Sequence, residues 1–422
     1  MRSFFKVKTA PQVLESLKDI NPLGVQTVSI TNALNRVLAR DIVSSEDIPG
    51  FRRSTVDGYA LDARDAFGAS ESLPTPLVII GEVKMGQAPG FGIKRGQCAL
   101  ISTGGMLPEG CDAVVMVEYA QKIEDAVVEI TRPVSPLENV ILADDDVKKG
   151  QTILHKGTLL RAQDLGVMAG IGISAVEVFR RPRAAIISTG EEVVDISENP
   201  KPGQIRDINS YTVGGLCTGL GAKPIYLGLA GDSFADLKVL LEKGLTKADV
   251  ILLSGGSSVG VKDMTLDLFL SFADVELVAH GVSISPGKPT IIARKGNKTL
   301  WGLPGHPVSA MIIFDVFLRY IFARLSGLSD PAGYARHTVE AELDRNIESA
   351  SGREDYIRVK LATENGKLVA KPILGKSGLI STMVEADGIM KIDINTEGLY
   401  QGDTVRVRLF CTRYGDRRYT SR

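Results

Sequence analysis

Cysteine is scarce in this sequence and never clustered: Cys98, Cys111, Cys217 and Cys411 are scattered over 422 residues, and none forms a C-x-x-C pair. That excludes a disulfide framework or a thiolate zinc site as the organising feature. His155, His280, His306 and His337 are equally dispersed. Neither sign of charge is in excess: the net charge is -1, with no run of lysine or arginine and no interleaved aromatic pattern. Nucleic acid is therefore disfavoured as a partner. No apolar stretch reaches membrane-spanning length, and the opening MRSFFKVKTAPQV brings charge and proline too soon for a signal segment. The expectation is a soluble chain in a reducing cytoplasm, with no membrane partner.

What the sequence does contain is glycine turns, short β-branched runs and carboxylates beside them. Its length suggests roughly three domains, and 44% hydrophobic residues can fill large cores. Ala10–Leu17 and Ile30–Leu38 read as helices, with Thr9, Pro11 and Thr31 where caps and first turns prefer them. The polar loop holding Arg52, Arg53, Ser54, Thr55 and Asp57 then turns into a strand. PLVIIGEV, CALISTGG, AVVMVE and VVEITRPV follow as strands of a small β domain between Leu77 and Val134. Its Thr103-Gly104-Gly105 turn offers a hydroxyl and free N–H groups to an oxyanion, or is an ordinary hairpin turn. Asp144-Asp145-Asp146 is an acidic run of the sort that usually faces solvent. A helix is expected over Ala162–Ala169. Residues 1–46 with 147–181 form a linking domain in this division, 47–146 the β domain, 182–328 an α/β domain and 329–422 a last β-barrel or sandwich.

Beyond Pro182, strand and helix patterns alternate: strands at Ala184–Ser188, Pro224–Leu229 and Val250–Ser254, helices at Tyr211–Leu220, Phe234–Lys243 and Met264–Phe272. The fold class is therefore α/β plus β: a doubly wound, mostly parallel sheet with small β domains in an elongated multi-domain chain. In such a sheet, ligands bind outside the carboxyl ends of the strands. Glu191, Glu192, Asp232, Asp263, the loop Ser254-Gly255-Gly256-Ser257-Ser258, and the turns Pro286-Gly287-Lys288 and Pro304-Gly305-His306-Pro307 all lie just past strand ends. Gly255 and Gly260 have P-loop spacing, but Val261 stands where that motif requires lysine, and no Gly-x-Gly-x-x-Gly pattern is present. Clustered carboxylates suit Mg²⁺, which bridges phosphate or other oxyanions that bare acids repel. As an alternative, Asp232 and Asp263 only cap helices. Pro307–Leu325 reads as one long helix.

Taken together, the motifs resemble the molybdopterin molybdotransferase family of molybdenum-cofactor biosynthesis, which includes the C-terminal domain of gephyrin. The resemblance spans nearly the whole chain: S-x-x-D-G-Y-A at Ser54–Ala60, S-T-G-G at Ser102–Gly105, S-T-G-E-E at Ser188–Glu192, S-G-G-S-S-V-G-x-x-D at Ser254–Asp263, P-G-K-P at Pro286–Pro289, G-L-P-G-H-P-V-S-A at Gly302–Ala310, and Ser377-Gly378 with Ala386-Asp387-Gly388. It implies an enzyme that uses Mg²⁺ to insert molybdate into adenylylated molybdopterin, releasing AMP, and that works as a homodimer. Carried over by position, Asp57, Thr103, Asp146, Glu192, Asp232 and Asp263 serve catalysis, with Glu192, Asp232 and Asp263 on the metal. The Ser254–Gly260 loop, Lys288 and the Pro304 and Pro307 turns shape the substrate site. Three positions depart from the family: Ser285 replaces a common basic residue, Asp144–Val147 lacks the usual glycine, and His306 stands where asparagine is frequent. Molybdopterin adenylylation, which a lone α/β domain performs in a related family, and a gephyrin-like scaffold role are the alternatives.

Overall fold

The computed structural model describes residues 7–255, 259–333 and 337–410, and no side chain of residues 259–263. Gly256, Ser257 and Ser258 lie outside the described residues, as do the side chain of Asp263 and anything beyond the helical backbone of Gly260. The chain is a mixed α/β, multi-domain fold.

Its centre is a six-stranded sheet in the order Lys223–Ala230, Arg183–Thr189, Val250–Ser254, Lys298–Leu303, Ile291–Lys295, Glu276–His280. The first four strands are parallel. Ile291–Lys295 runs antiparallel to both neighbours. Only Gly296 and Asn297 separate it from the next strand, and two residues permit a hairpin but no crossover helix. Val250–Ser254 is buried along its whole length, as a central strand covered on both faces must be. Its alternate side chains separate the two cores. Val250 and Leu252 pack with Trp301, Phe314 and Phe317, whereas Ile251 and Leu253 pack with Leu237, Leu241 and Phe269.

The helix Ala10–Ser16 forms where expected, opened by a capping box in which Thr9 and Gln12 satisfy each other's backbone N–H. Its Val13 and the following Leu17 sit in the first of those cores, so this end of the chain packs on the α/β sheet. The second expected helix does not form. Ile30–Asn32 makes a single 3-10 turn, Asn35 turns left-handed at φ 57, and the chain then bridges outward, Val37 to Leu159 and Leu38 to Val178. Pairing with distant strands overrides local propensity there. The helix Ala162–Gly170 packs with Leu38, Leu154 and Val178 in the same small core.

The β domain is a six-stranded sheet in which Gly58–Leu61 lies between Ala113–Met116 and Gln97–Ile101. Gly58 is required there, because a Cβ would stand 1.9 Å from the Val115 carbonyl oxygen. The last domain resolves the barrel-or-sandwich choice as a barrel: Glu354–Glu364, Lys367–Pro372, Thr338–Leu343, Thr404–Leu409 and Gly388–Ile392 pair in sequence, and the last closes on the first. Ile284–Ser285, from the α/β part, adds a parallel bridge to the start of Glu354–Glu364. That pairing holds the Pro286-Gly287-Lys288 turn against the barrel.

The long helix expected over Pro307–Leu325 is broken into Pro307–Ile313, a π-helical turn Phe314–Leu318 and Arg319–Leu325. The wide turn carries Asp315, buried between Arg319, whose Nε is 2.6 Å away, and Arg408 of the barrel. A buried carboxylate needs such partners, and a periodicity read from apolar residues alone does not foresee it.

Candidate functional site

The carboxyl ends of the parallel strands border a cavity of about 200 Å³ lined by Thr189, Glu192, Asn209, Ser254, Gly255 and His306, among others. Each wall has a local cause. Gly255 ends the central strand at φ +140 so close to Thr189 that a Cβ would stand 2.0 Å from the Thr189 carbonyl oxygen. Only glycine permits that approach. Thr189 Oγ1 in turn donates to Asp232 Oδ1 at 2.9 Å. The helix after Asp232 is capped by Ser233, whose Oγ accepts from Asp236 N–H. Asp232 is thus free of the capping duty and braces Thr189 from behind the cavity.

Asn209, which opens the helix Asn209–Gly219, was not singled out in the sequence. Its Nδ2 donates to Ser254 Oγ at 2.6 Å and to the Gly305 carbonyl at 2.8 Å, tying two strand-end loops together. Its Oδ1 is buried with no hydrogen-bond partner. A buried amide oxygen with no donor is costly unless a ligand or water supplies one. No periodic or charge signal marks Asn209; its only sign was the polar Asp207-Ile208-Asn209-Ser210 entry into a helix.

A second, wider cavity of about 580 Å³ lies between the α/β sheet and the barrel, lined by Ser285, Gly287, Lys288, Ser309, Arg353 and Ser377, among others. Arg353 and Ser377 come from the barrel, a region whose sequence contains no clustered chemistry. Arg353 is exposed and pairs with Asp355 at 3.1 Å, and it brings to this cavity a positive charge that Ser285 does not. Ser377 is fixed in two ways: its Oγ lies 2.8 Å from His306 Nδ1, and its carbonyl accepts from Val308 N–H. Nearby, Tyr356 donates to Glu354 Oε2 at 2.8 Å, and burial together with the Glu354 charge pushes its phenol pKa far up. Tyr356 therefore acts as a neutral hydrogen-bond donor.

Asp57 and Thr103 form a separate cluster in the β domain. Thr103 donates to Asp57 Oδ1 through its N–H at 2.7 Å and its Oγ1 at 3.1 Å, which holds an exposed carboxylate in one orientation. Asp146 is exposed, anchored by its own N–H to the Ile48 carbonyl at 3.0 Å. Beside it, Asp144 pairs with Lys148 at 3.2 Å and Asp145 accepts from Leu142 N–H. Neither cavity is lined by any described residue of the segment 47–146.

Of the expected metal ligands, Glu192 is exposed on the narrower cavity, Asp232 stands behind Thr189, and the Asp263 side chain is outside the described residues. Among the described residues no three His, Cys, Asp or Glu side chains gather closely enough to hold a metal ion. The exposed Glu192 carboxylate on the cavity and the buried, unpartnered Asn209 oxygen are hard oxygen ligands of the kind Mg²⁺ accepts while keeping several waters.

Family models match along the chain in order: "MoeA N-terminal region (domain I and II)" over residues 6–172, "Probable molybdopterin binding domain" over 185–324 and "MoeA C-terminal region (domain IV)" over 340–410. This chain belongs to the MoeA family. It is 34% identical over 394 residues to a molybdopterin biosynthesis protein of Methanocaldococcus jannaschii, covering 91% of this chain and 92% of that one. It is 30% identical over 406 residues to the molybdopterin molybdenumtransferase of Haemophilus influenzae, covering 95% of this chain and 98% of that one. A crystal structure of the molybdopterin biosynthesis moeA protein of Pyrococcus horikoshii superposes with a TM-score of 0.82 at 32% identity, covering 96% of this chain and all of that one. The fold and the order of its parts are those of this family. No helix among the described residues is long and apolar enough to cross a membrane.

Proposed function

We propose that this chain is a molybdopterin molybdenumtransferase that takes molybdate and adenylylated molybdopterin, inserts the metal at the dithiolene sulfurs and releases AMP. The observation that carries this reading is the meeting of two unlike cavities. One has hydroxyl, amide and carboxylate groups at parallel strand ends; the other has Lys288, Arg353 and Ser377 around a space large enough for an oxyanion and part of an organic ligand. The cationic side takes molybdate, since ammonium and guanidinium groups with hydroxyl donors are what a tetrahedral oxyanion needs. The strand-end side takes the adenylate's phosphate. Mg²⁺, held by Glu192 with help from Asp263 and the Asn209 oxygen, would neutralise that phosphate and polarise it as a Lewis acid. Thr189, braced by Asp232, positions the group. Asp57 and Thr103 complete the site from a second copy of the chain, so the working unit is a homodimer in the cytoplasm.

The barrel's share of the cationic cavity separates this reading from molybdopterin adenylylation, since a lone α/β domain has no counterpart of Arg353 or Ser377. A scaffold role gives no reason for a free carboxylate and an unpartnered amide oxygen at one cavity. The test is turnover: purified protein, adenylylated molybdopterin and Mg²⁺ should release AMP when molybdate is present and leave molybdenum on the pterin. AMP release that is indifferent to molybdate, or pterin recovered without metal, rules the reading out.

Ser285→Lys supplies a further check. The added charge faces the cationic cavity, so molybdate should bind several-fold tighter at low salt, and the gain should shrink as salt screens it over roughly 10 Å. Equal affinities of variant and wild type at low ionic strength would place the oxyanion elsewhere.

A further inference from the structure

The narrower cavity is largely polar, but part of its wall is not. Val193, Ile205 and Ile208 line it, and none of the three borders the wider cavity. Ile205 is 55% exposed and Ile208 37%, and neither packs into a hydrophobic core among the described residues. A lone exposed isoleucine is ordinary; two on one polar cavity mark a face for a ligand. Both are held in place by backbone hydrogen bonds. Ile205 belongs to a short parallel pair, Val193–Val194 with Ile205–Arg206, in which its N–H donates to the Glu192 carbonyl at 2.8 Å and the Asp207 N–H to the Val194 carbonyl at 3.0 Å. Arg206 closes the intervening turn, its Nε donating to the Ile196 and Glu198 carbonyls at 3.1 and 3.0 Å. Ile208 precedes the helix Asn209–Gly219, and its carbonyl accepts from Thr212 N–H at 3.1 Å. The apolar wall is thus formed before any ligand arrives.

We infer that Ile205 and Ile208, with Val193, seat the adenine ring of the adenylylated substrate, an inference that rests on the function proposed above. In that substrate a phosphate bridge joins the pterin part to adenosine. The dithiolene must reach the oxyanion of the wider cavity, so the pterin part lies toward His306, the lining residue that the two cavities share. Adenosine leaves the bridge in the other direction and meets walls that belong to the narrower cavity alone. There Thr189, Glu192 and Asn209 serve the phosphate and its Mg²⁺, which leaves the aliphatic wall for the base. A purine has flat, weakly hydrated faces, and laying one on aliphatic carbon removes both surfaces from water without stranding a polar group.

Calorimetry with AMP and with ribose 5-phosphate, which keeps the sugar and phosphate but lacks the base, tests this on wild type, Ile205→Ala and Ile208→Ala. Mg²⁺ and saturating molybdate are present throughout, so that the cationic cavity is occupied. Wild type should bind AMP at least about ten-fold tighter than ribose 5-phosphate, the low end for several methylenes in a hydrophobic pocket because this wall is partly open. Each truncation should close most of that gap by weakening AMP and leaving ribose 5-phosphate unchanged. Ile205→Leu should keep most of the affinity for AMP, since aliphatic cover is retained. Wild type that binds the two ligands equally leaves the base in solvent and overturns the inference alone. Variants that keep the wild-type gap put the base on another wall, and a ribose 5-phosphate affinity that falls in step with AMP makes the isoleucines supports of the phosphate seat; either result overturns it too. Wild type that binds neither ligand removes the strand-end phosphate site, and with it both the inference and the reading on which it rests.

Discussion

Mixing inactive Asp57→Asn protein with inactive Asp232→Asn protein is expected to restore up to about half of the wild-type rate per heterodimer, as a two-fold assembly requires. Asp57 and its Thr103 donors form a cluster of their own, and no described residue of 47–146 lines either cavity. In the homodimer proposed above, this oriented, exposed carboxylate would gain its reaction partner from a neighbouring copy. Both substitutions leave Oδ1 in place to accept the observed hydrogen bonds, from Thr103 in one case and Thr189 in the other. What each removes is charge, at a cost of about 100-fold in rate if that charge acts in the transition state. In the mixed dimer one site carries both lesions and the other neither. Heterodimers confirmed by native mass spectrometry but devoid of activity would place Asp57 and Asp232 in the same site within one subunit.

Gly255→Ala should abolish turnover, with a loss of at least about 100-fold and a melting temperature lowered by several degrees, because the new Cβ meets backbone as well as side chain. It would stand 2.0 Å from the Thr189 carbonyl oxygen and 2.6 Å from Thr189 Cγ2. No rotamer change relieves a clash with a carbonyl, so the strand-end loops must separate, taking Thr189 from Asp232 and Ser254 from Asn209. Gly172→Ala is the control: its φ is +76 but a Cβ there meets nothing within 4 Å. It should cost about 1 kcal/mol of stability from backbone strain and no activity. Calorimetry and AMP release on the two variants separate strain from displacement of the site. Equal behaviour would mean that the close approach at Thr189 is not what shapes the cavity.

Much of this architecture was legible in the sequence, because it rests on patterns with a single physical cause. Val250–Ser254 reads as a buried strand because β-branched and apolar residues end in glycine, and it is one, bound for bound. The rule that ligands collect at parallel strand ends brought Glu192, Ser254, Gly255 and His306 to one cavity. What was not legible depends on partners far away in the chain. Residues 33–38 have helical periodicity, but Asn35 and Leu38 donate their N–H groups to the distant Leu160 and Thr158 carbonyls, and the Val37 carbonyl accepts from Phe179. Asp232 has a helix-cap position, yet Ser233 takes the cap and Asp232 answers Thr189. Arg353 stands in a turn whose local pattern carries no message, and reaches the Lys288 cavity because Ile284–Ser285 pairs with the strand that follows it. Asn209 matters through two contacts, at Ser254 and Gly305, that no local spacing encodes.

The proposed function puts an oxyanion between the Lys288 turn and the barrel, beside a strand-end cavity for the adenylylated pterin, with His306 at the seam. A crystal soaked in tungstate, a heavier analogue of molybdate, tests it through the anomalous signal of the metal. A peak is expected within hydrogen-bond reach of Lys288, Arg353 and Ser377, lost in Arg353→Gln crystals. A peak elsewhere on the chain, or one at that position unaffected by Arg353→Gln, would contradict it.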